Sequence, residues 1–282
     1  MDALKQRIKE HYDGCSPSYQ DLWGKHIHHG LWREGQEALS KEVAQERLVE
    51  EMAARARLPA RAKVLDVGCG VGGTSCWLAA RGHAVTGISL SPKQIEMAKE
   101  NAAADKVSVR FLTMDAEALN FPGEDGSFDC VWCAESCSHY PHKERFFAHA
   151  QRLLKPGGKL VMVDWFAGDC IGSKMWTGVV ADIERGMLLP PIGTVTGYAN
   201  LMVAAGLRPI FVDDVSKECA KTWDLSLELV ANPATLSLAR SLGSDGLNFL
   251  AAFVSMKDGF ASGAFRFTIV IAEKPTAAQL EN

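Results

Sequence analysis

Three titratable side chains stand where a reaction could use them. Glu135 and His139 follow a strand read at Ser127–Cys133, and Asp164 falls at the end of the next, read at Lys159–Trp165. Adjacent strand ends lie about 5 Å apart, so neighbouring strands would bring the three groups to one cavity. An imidazole of ordinary pKa near 6.5 accepts a proton at neutral pH, and a carboxylate beside it can orient it or stabilise the imidazolium. Asp164 could instead act alone, cap a helix or touch a cofactor. Glu135 could serve a cofactor pocket or face a developing carbocation. The residues alone leave that division open.

The element that must present a reaction partner to this rim is Val64-Leu-Asp-Val-Gly-Cys-Gly-Val-Gly-Gly-Thr-Ser75. Val64–Val67 reads as a buried strand, followed by a glycine-rich turn and a helix over about 74–81. Glycines let backbone approach a ligand, and the helix start offers free N–H groups. That is a nucleotide or nucleoside pocket at the carboxyl end of a parallel strand. Gly68, Gly70 and Gly73 fit G-x-G-x-x-G, so a nicotinamide dinucleotide is one reading. It expects an acid at the end of the second strand, where this chain has Ser89-Leu90-Ser91-Pro92-Lys93-Gln94. Asp66, two residues before the first glycine, can receive a ligand's ammonium charge or tie down the loop.

Asp66-Val-Gly-Cys-Gly-Val-Gly-Gly resembles the first motif of the class I S-adenosylmethionine (SAM) methyltransferases. Ser89-Leu90-Ser91-x-x-Gln94 resembles the branch that replaces the ribose-binding acid with a hydroxyl and an amide, which includes tocopherol, sterol and cyclopropane-forming methyltransferases. Leu154-Lys-Pro-Gly-Gly-x-Leu160 is a further feature of the class. The resemblance implies a Rossmann-like α/β fold: a mostly parallel seven-stranded sheet with an antiparallel last strand and helical cap insertions. It implies SAM as cofactor, S-adenosylhomocysteine as product and no metal. It places Asp66, Gly68, Cys69, Gly70, Ser89, Leu90 and Gln94 at the cofactor, with Glu135 beside them. Asp115 would accept from the adenine amino group and the Ala116 N–H would donate to a ring nitrogen; the plain alternative for Asp115 is a helix N-cap.

Residues 1–60 read as a helical cap segment before the 61–282 catalytic domain. Leu4, Ile8 and Tyr12 share one helix face, as roughly do Val43, Leu48 and Met52. Between them the chain is dense in aromatics and histidines: Tyr12, Tyr19, Trp23, His29 and Trp32. In the resembled branch such a segment folds over the SAM pocket and lines the acceptor cavity; packing onto the domain is the alternative. The histidines lack H-E-x-x-H spacing.

Downstream, strands are expected at 84–88, 107–112, 209–212 and 265–272. Helices are expected at 92–104, 143–154 and 198–205, with Gly206 as a left-handed cap. Insertions at about 168–205 and 216–262 would join residues 1–60 over the catalytic face, and 275–282 reads as a frayed tail. Cys130 and Cys133 would face opposite sides of a strand, which argues against zinc. Eight cysteines without paired short spacings fit reduced thiols in the cytoplasm. A net charge of −4 without a Lys/Arg cluster argues against nucleic-acid partners. No run of about 20 apolar residues predicts a membrane span, and a homodimer stays open. The expected activity is methyl transfer from SAM to a small molecule, at carbon of a phenol, prenyl or other alkene, or electron-rich aromatic. Methylation at nitrogen or oxygen is the alternative, and a SAM-binding regulator without turnover is a second.

Overall fold

Two helices precede the sheet in this computed structural model, which describes residues 3–169, 171–230, 232–241 and 243–280. They are α1 (Ala3–Trp23) and α2 (Lys41–Ala56). The Tyr12–Trp23 stretch continues α1 through Gly14 and Pro17. Proline removes one helical donor; the helix survives because it packs against α4 and the cap rather than standing alone. Ser40 caps α2, whose buried face carries Leu48, Val49 and Met52. Val43, expected on that face, is 48% exposed.

The alternating unit follows: β1 (Lys63–Val67), α3 (Gly73–Ala80), β2 (Ala84–Ser89), α4 (Pro92–Ala104), β3 (Val109–Thr113), β4 (Phe128–Ala134), α5 (Lys143–Leu153) and β5 (Leu154–Ala167). Pro92 opens α4, where its missing N–H costs nothing. β3 starts two residues later than the sequence predicts. β5 starts earlier, because Lys155-Pro-Gly-Gly158 is already extended and Leu154 pairs with Phe128. The cap helices are α6 (Ser173–Met175), α7 (Ala181–Gly186) and α8 (Val195–Ala204), then α9 (Ser216–Cys219), α10 (Lys221–Val230), α11 (Pro233–Ser241) and α12 (Gly243–Ser262), the last four after β6 (Arg208–Asp214). The chain closes with β7 (Phe265–Glu273) and α13 (Ala277–Leu280). In the expected tail, Gln279 accepts from the Thr276 N–H at 2.8 Å, so residues 277–280 form a helical turn; residues 281–282 lie outside the described set.

The sheet order is β3-β2-β1-β4-β5-β7-β6, and β7 runs antiparallel to both its neighbours. The mostly parallel seven-stranded sheet with an antiparallel last strand is therefore present. Side-chain alternation sends Trp132 and Cys130 into one layer of core and Val131 and Cys133 into the other. With β1 central and β4 beside it, the strand order switches direction there, and loops leaving the carboxyl ends open a crevice. Among the described residues, no helix is long and apolar enough to cross a membrane.

Candidate active site

The turn after β1 is fixed by two N–H groups, of Gly68 and Cys69, which donate to the Ile88 carbonyl at 2.9 and 2.8 Å. Gly68 has φ +76°, and a Cβ there would lie 2.2 Å from Ser136 Oγ. Gly70 has φ +54°, and a Cβ would meet nothing within 4 Å. Its missing side chain therefore leaves open space, and Gly68 and Gly70 both line a cavity of about 120 Å³. Ser89, Leu90, Gln94, Asp115, Ala116 and Glu135 line it too, together with Lys5, Ile8 and Tyr12 from α1.

Ser89 Oγ donates to Gln94 Oε1 at 2.6 Å, while Ser91 Oγ caps α4 by accepting from the Gln94 N–H at 3.0 Å. With its oxygen engaged, the Gln94 amide keeps its N–H pair for a ligand hydroxyl. Asp115 Oδ1 accepts from the Glu117 N–H at 2.9 Å, so it does cap a short helical turn. Its Oδ2 accepts from Lys5 Nζ at 2.7 Å, and Lys5 also pairs with the buried Glu117. The open cradle at Gly70, the amide donor of Gln94 and the carboxylate of Asp115 suit a nucleoside with a short charged tail.

Asp66 and Cys69 do not line this cavity. Asp66 is buried and accepts from Ser75 Oγ at 2.5 Å, which braces the glycine turn against α3. Burial pushes its carboxyl up to about 6, against the Ser75 bond, which pulls it down.

A second cavity, about 160 Å³, lies under the cap. Its walls include Tyr19, Trp23 and His29 from the N-terminal segment, Trp165, and the cap residues Leu188, Trp223, Phe249 and Phe253. Ile8, Tyr12, Ile27, Glu135 and His139 border both cavities. His139 Nε2 and Tyr12 Oη are 3.2 Å apart, a pair 127 residues apart in the chain. Burial holds His139 down at about 4, outweighing the Leu188 carbonyl and the Glu135 charge, which pull upward. The ring is therefore neutral at neutral pH.

Glu135 sits at φ +51°, a left-handed conformation costing a non-glycine residue roughly 1–2 kcal/mol. Both carboxylate oxygens are engaged by one residue: the His29 N–H at 2.6 Å and His29 Nδ1 at 2.9 Å. The His29 ring is stacked on Phe267 with centroids 4.3 Å apart. Glu135 thus ties the N-terminal segment to the end of β4.

Two further expected site residues lie elsewhere. Asp164 is fully buried, lines neither cavity, and accepts from the Ser138 and Trp165 N–H groups at 3.0 and 2.8 Å. It braces the 136–139 turn and makes no bond to His139, because its side chain points into the layer below the rim. Trp32 also lines neither cavity; its indole donates to the Leu39 carbonyl at 3.2 Å and packs the extension onto the domain. Conversely, His11, Lys5, Trp165 and Trp223 reach the cavities although no motif singles them out. Among the described residues no cluster of three or more His, Cys, Asp or Glu is arranged to hold a metal ion.

This fold, with a nucleoside cradle opening onto an apolar chamber, defines a SAM-dependent transferase scaffold. Residues 65–162 match the family model described as a methyltransferase domain. The chain is 31% identical to the chloroplastic tocopherol O-methyltransferase of Arabidopsis thaliana, over 97% of this chain and 83% of that protein. It is 34% identical to the 27-O-demethylrifamycin SV methyltransferase of Amycolatopsis mediterranei, over 78% of this chain and 80% of that one. The crystal structure of the [4+2]-cyclase SpnF superposes with a TM-score of 0.84 at 26% identity, covering 97% of both chains. The chain belongs to the class I SAM-dependent methyltransferases, in the branch that modifies small molecules.

Proposed function

We propose that this enzyme transfers the SAM methyl group to a carbon atom of a neutral, largely apolar small molecule. The observation that carries the reading is the shared border of the two cavities at Ile8, Tyr12, Ile27, Glu135 and His139. When bound, the sulfonium supplies an electrophilic methyl group, and this border is where an acceptor atom would meet it. The protein's part is to hold the two reactants in line and keep water out. Among the described residues lining the acceptor chamber there is no Lys or Arg. Its one acid, Glu135, already accepts from His29 on both oxygens. Nothing there complements an anionic acceptor, and burying an unpaired charge is costly.

The state of His139 supports carbon over oxygen. Burial keeps His139 neutral and makes it a weak base for taking a phenol's proton before transfer. A methylated ring or alkene carbon carries positive charge and sheds its proton readily, so a weak neutral base suffices. Aromatic faces, Tyr12 and Trp165 among them, suit such a cation. Glu135 adds a negative charge on the border. We further read residues 1–60 with the 168–205 and 216–262 insertions as the cap that selects the acceptor. Gly68, Gly70, Ser89, Leu90, Gln94, Asp115, Ala116 and Glu135 are read as the cofactor contacts.

The likeness to the [4+2]-cyclase favours one other reading, a rearrangement in the same chamber without methyl transfer. Incubating the protein with methyl-labelled SAM and an apolar metabolite extract, followed by mass spectrometry and NMR of the product, separates these. The expected product is neutral and labelled on carbon. Label on oxygen or nitrogen selects the other methylation chemistry, and a converted but unlabelled product selects the rearrangement.

A further inference from the structure

The acceptor chamber offers few polar side-chain groups once internal bonds are accounted for. Glu135 accepts from His29 on both oxygens and offers no donor. Thr222 Oγ1 accepts from the Gly30 N–H, and Ser226 Oγ donates to the Thr222 carbonyl. His28 is engaged through both ring nitrogens, by His26 and by the His29 carbonyl. His29 Nε2, Trp165 Nε1, Trp223 Nε1 and Thr235 Oγ1 are shut into the packing, away from the open space.

Among the described residues two tyrosine–histidine pairs remain, one joining α1 to the turn after β4 and one within α1, with the weakly polar Cys15 thiol beside the second. Tyr12 with His139 borders the cofactor cavity. Tyr19 Oη with His11 Nε2, 3.4 Å apart, lines only the acceptor chamber. The Tyr12 ring stands between the two imidazoles, edge-on to each, with centroids 5.3 Å from His11 and 5.8 Å from His139. Phe249 closes over the second pair, 5.2 Å from His11 and 5.7 Å from Tyr19. The second pair therefore faces the acceptor one aromatic ring away from the point of methyl transfer, inside walls that are otherwise apolar.

We infer that His11 and Tyr19 form a specificity site that hydrogen-bonds a second neutral oxygen, hydroxyl or carbonyl, on the acceptor. The inference rests on the reading that this chamber holds a neutral apolar acceptor. The long Tyr19–His11 contact is weak, and the Cys15 thiol that also meets the Tyr19 hydroxyl is a weak hydrogen-bonding group, so the pair exchanges these contacts for a ligand oxygen at little cost. Burial holds His11 down at about 4, against the Asp245 charge, so the site is uncharged at neutral pH and discriminates against anions and cations alike. A neutral imidazole and a phenol together both donate and accept, which matches a hydroxyl fully.

The test uses two probes that differ by one oxygen, 4-butylphenol and 4-(4-hydroxybutyl)phenol. Each is titrated by calorimetry into the protein saturated with S-adenosylhomocysteine. Wild type should bind the hydroxylated probe at least as tightly as the other. In His11→Leu/Tyr19→Phe, binding of 4-butylphenol should be unchanged while the hydroxylated probe weakens by roughly fivefold or more, because its terminal hydroxyl is left buried without a partner. Equal weakening of both probes, or of neither, overturns the specificity site and leaves the apolar-acceptor reading standing. Binding of neither probe to wild type overturns that reading, and the inference with it. Unchanged S-adenosylhomocysteine affinity in the double variant confirms that it folds, since neither residue lines the cofactor cavity.

Discussion

The cofactor cavity and the acceptor chamber are assembled over different distances along the chain. In the first, the contacts among the strand-end loops are local, Ser89 with Gln94 at a separation of five residues and Asp115 with the Glu117 N–H at two, while α1 adds Lys5 to Asp115 across 110 residues. In the second, Tyr12 meets His139 across 127 residues and His29 meets Glu135 across 106. Local contacts follow from the turn geometry at strand ends, so a short motif specifies them. Long-range contacts exist only after α1 and the 24–32 segment have docked. The cofactor site is thus the pre-built half, and the acceptor site is a property of the cap.

The sharpest way to break this contrast is at Gly70. Gly70→Val places a branched side chain in the open cofactor cradle at φ +54°. The strain should cost about 1–2 kcal/mol, a melting shift of a few degrees, while SAM affinity falls by roughly a hundredfold or more. Calorimetry showing unchanged SAM affinity would mean the cavity has been assigned to the wrong ligand. Gly68→Ala should do more damage to the fold itself, since its Cβ would run into Ser136.

Next in size is His139→Ala. SAM affinity should stay near wild type, and kcat should drop by roughly 10–10², below the usual range for a proton-transfer group because a base of about 4 has little driving force. A wild-type kcat would leave proximity and orientation as the main catalytic contribution. For the same reason, the enzyme's kcat should not fall near pH 6.5 on account of His139 but only close to pH 4.

Acid also distinguishes the two halves through stability. His11 and His139 sit at about 4 when folded, below their ordinary 6.5. The unfolded chain therefore takes up their protons first, and the stability they permit is full above pH 6.5 and lost as pH falls toward 4. Asp66 in the cofactor half has the opposite sign. Its folded value of about 6 exceeds 3.8, so the folded protein protonates first and gains stability as pH falls through 6. Melting temperatures at pH 7.5 and 4.5 should show His11→Leu flattening the acid loss and Asp66→Asn raising stability only at the higher pH. Shifts of the same sign in both variants would contradict the assignment.

The smallest expected effect is Gln94→Ala. One net hydrogen bond is worth roughly 0.5–1.5 kcal/mol, so SAM should bind several-fold more weakly with kcat retained at saturation. Total loss of binding would mean that Gln94 also organises the turn through Ser89.

The amino-acid sequence by itself determined the alternating α/β framework, the glycine turn after β1, the Ser89–Gln94 pair and the position of Glu135 and His139 after β4. Those follow from hydrophobic periodicity, glycine conformation and strand-end geometry, all readable within a few residues. It placed Asp164 one strand over correctly but not its direction, and a carboxylate at a strand end can point to either layer. It read residues 1–60 as helical but not the extent of α1, because Gly14 and Pro17 carry local penalties that docking offsets. It gave no sign that Lys5 reaches Asp115, that His29 holds Glu135, or that His11 stands beside Tyr12 in the chamber. Only the tertiary structure decided these, because burial of one helix face against distant elements sets which side chains meet, and that packing leaves no local pattern in the chain.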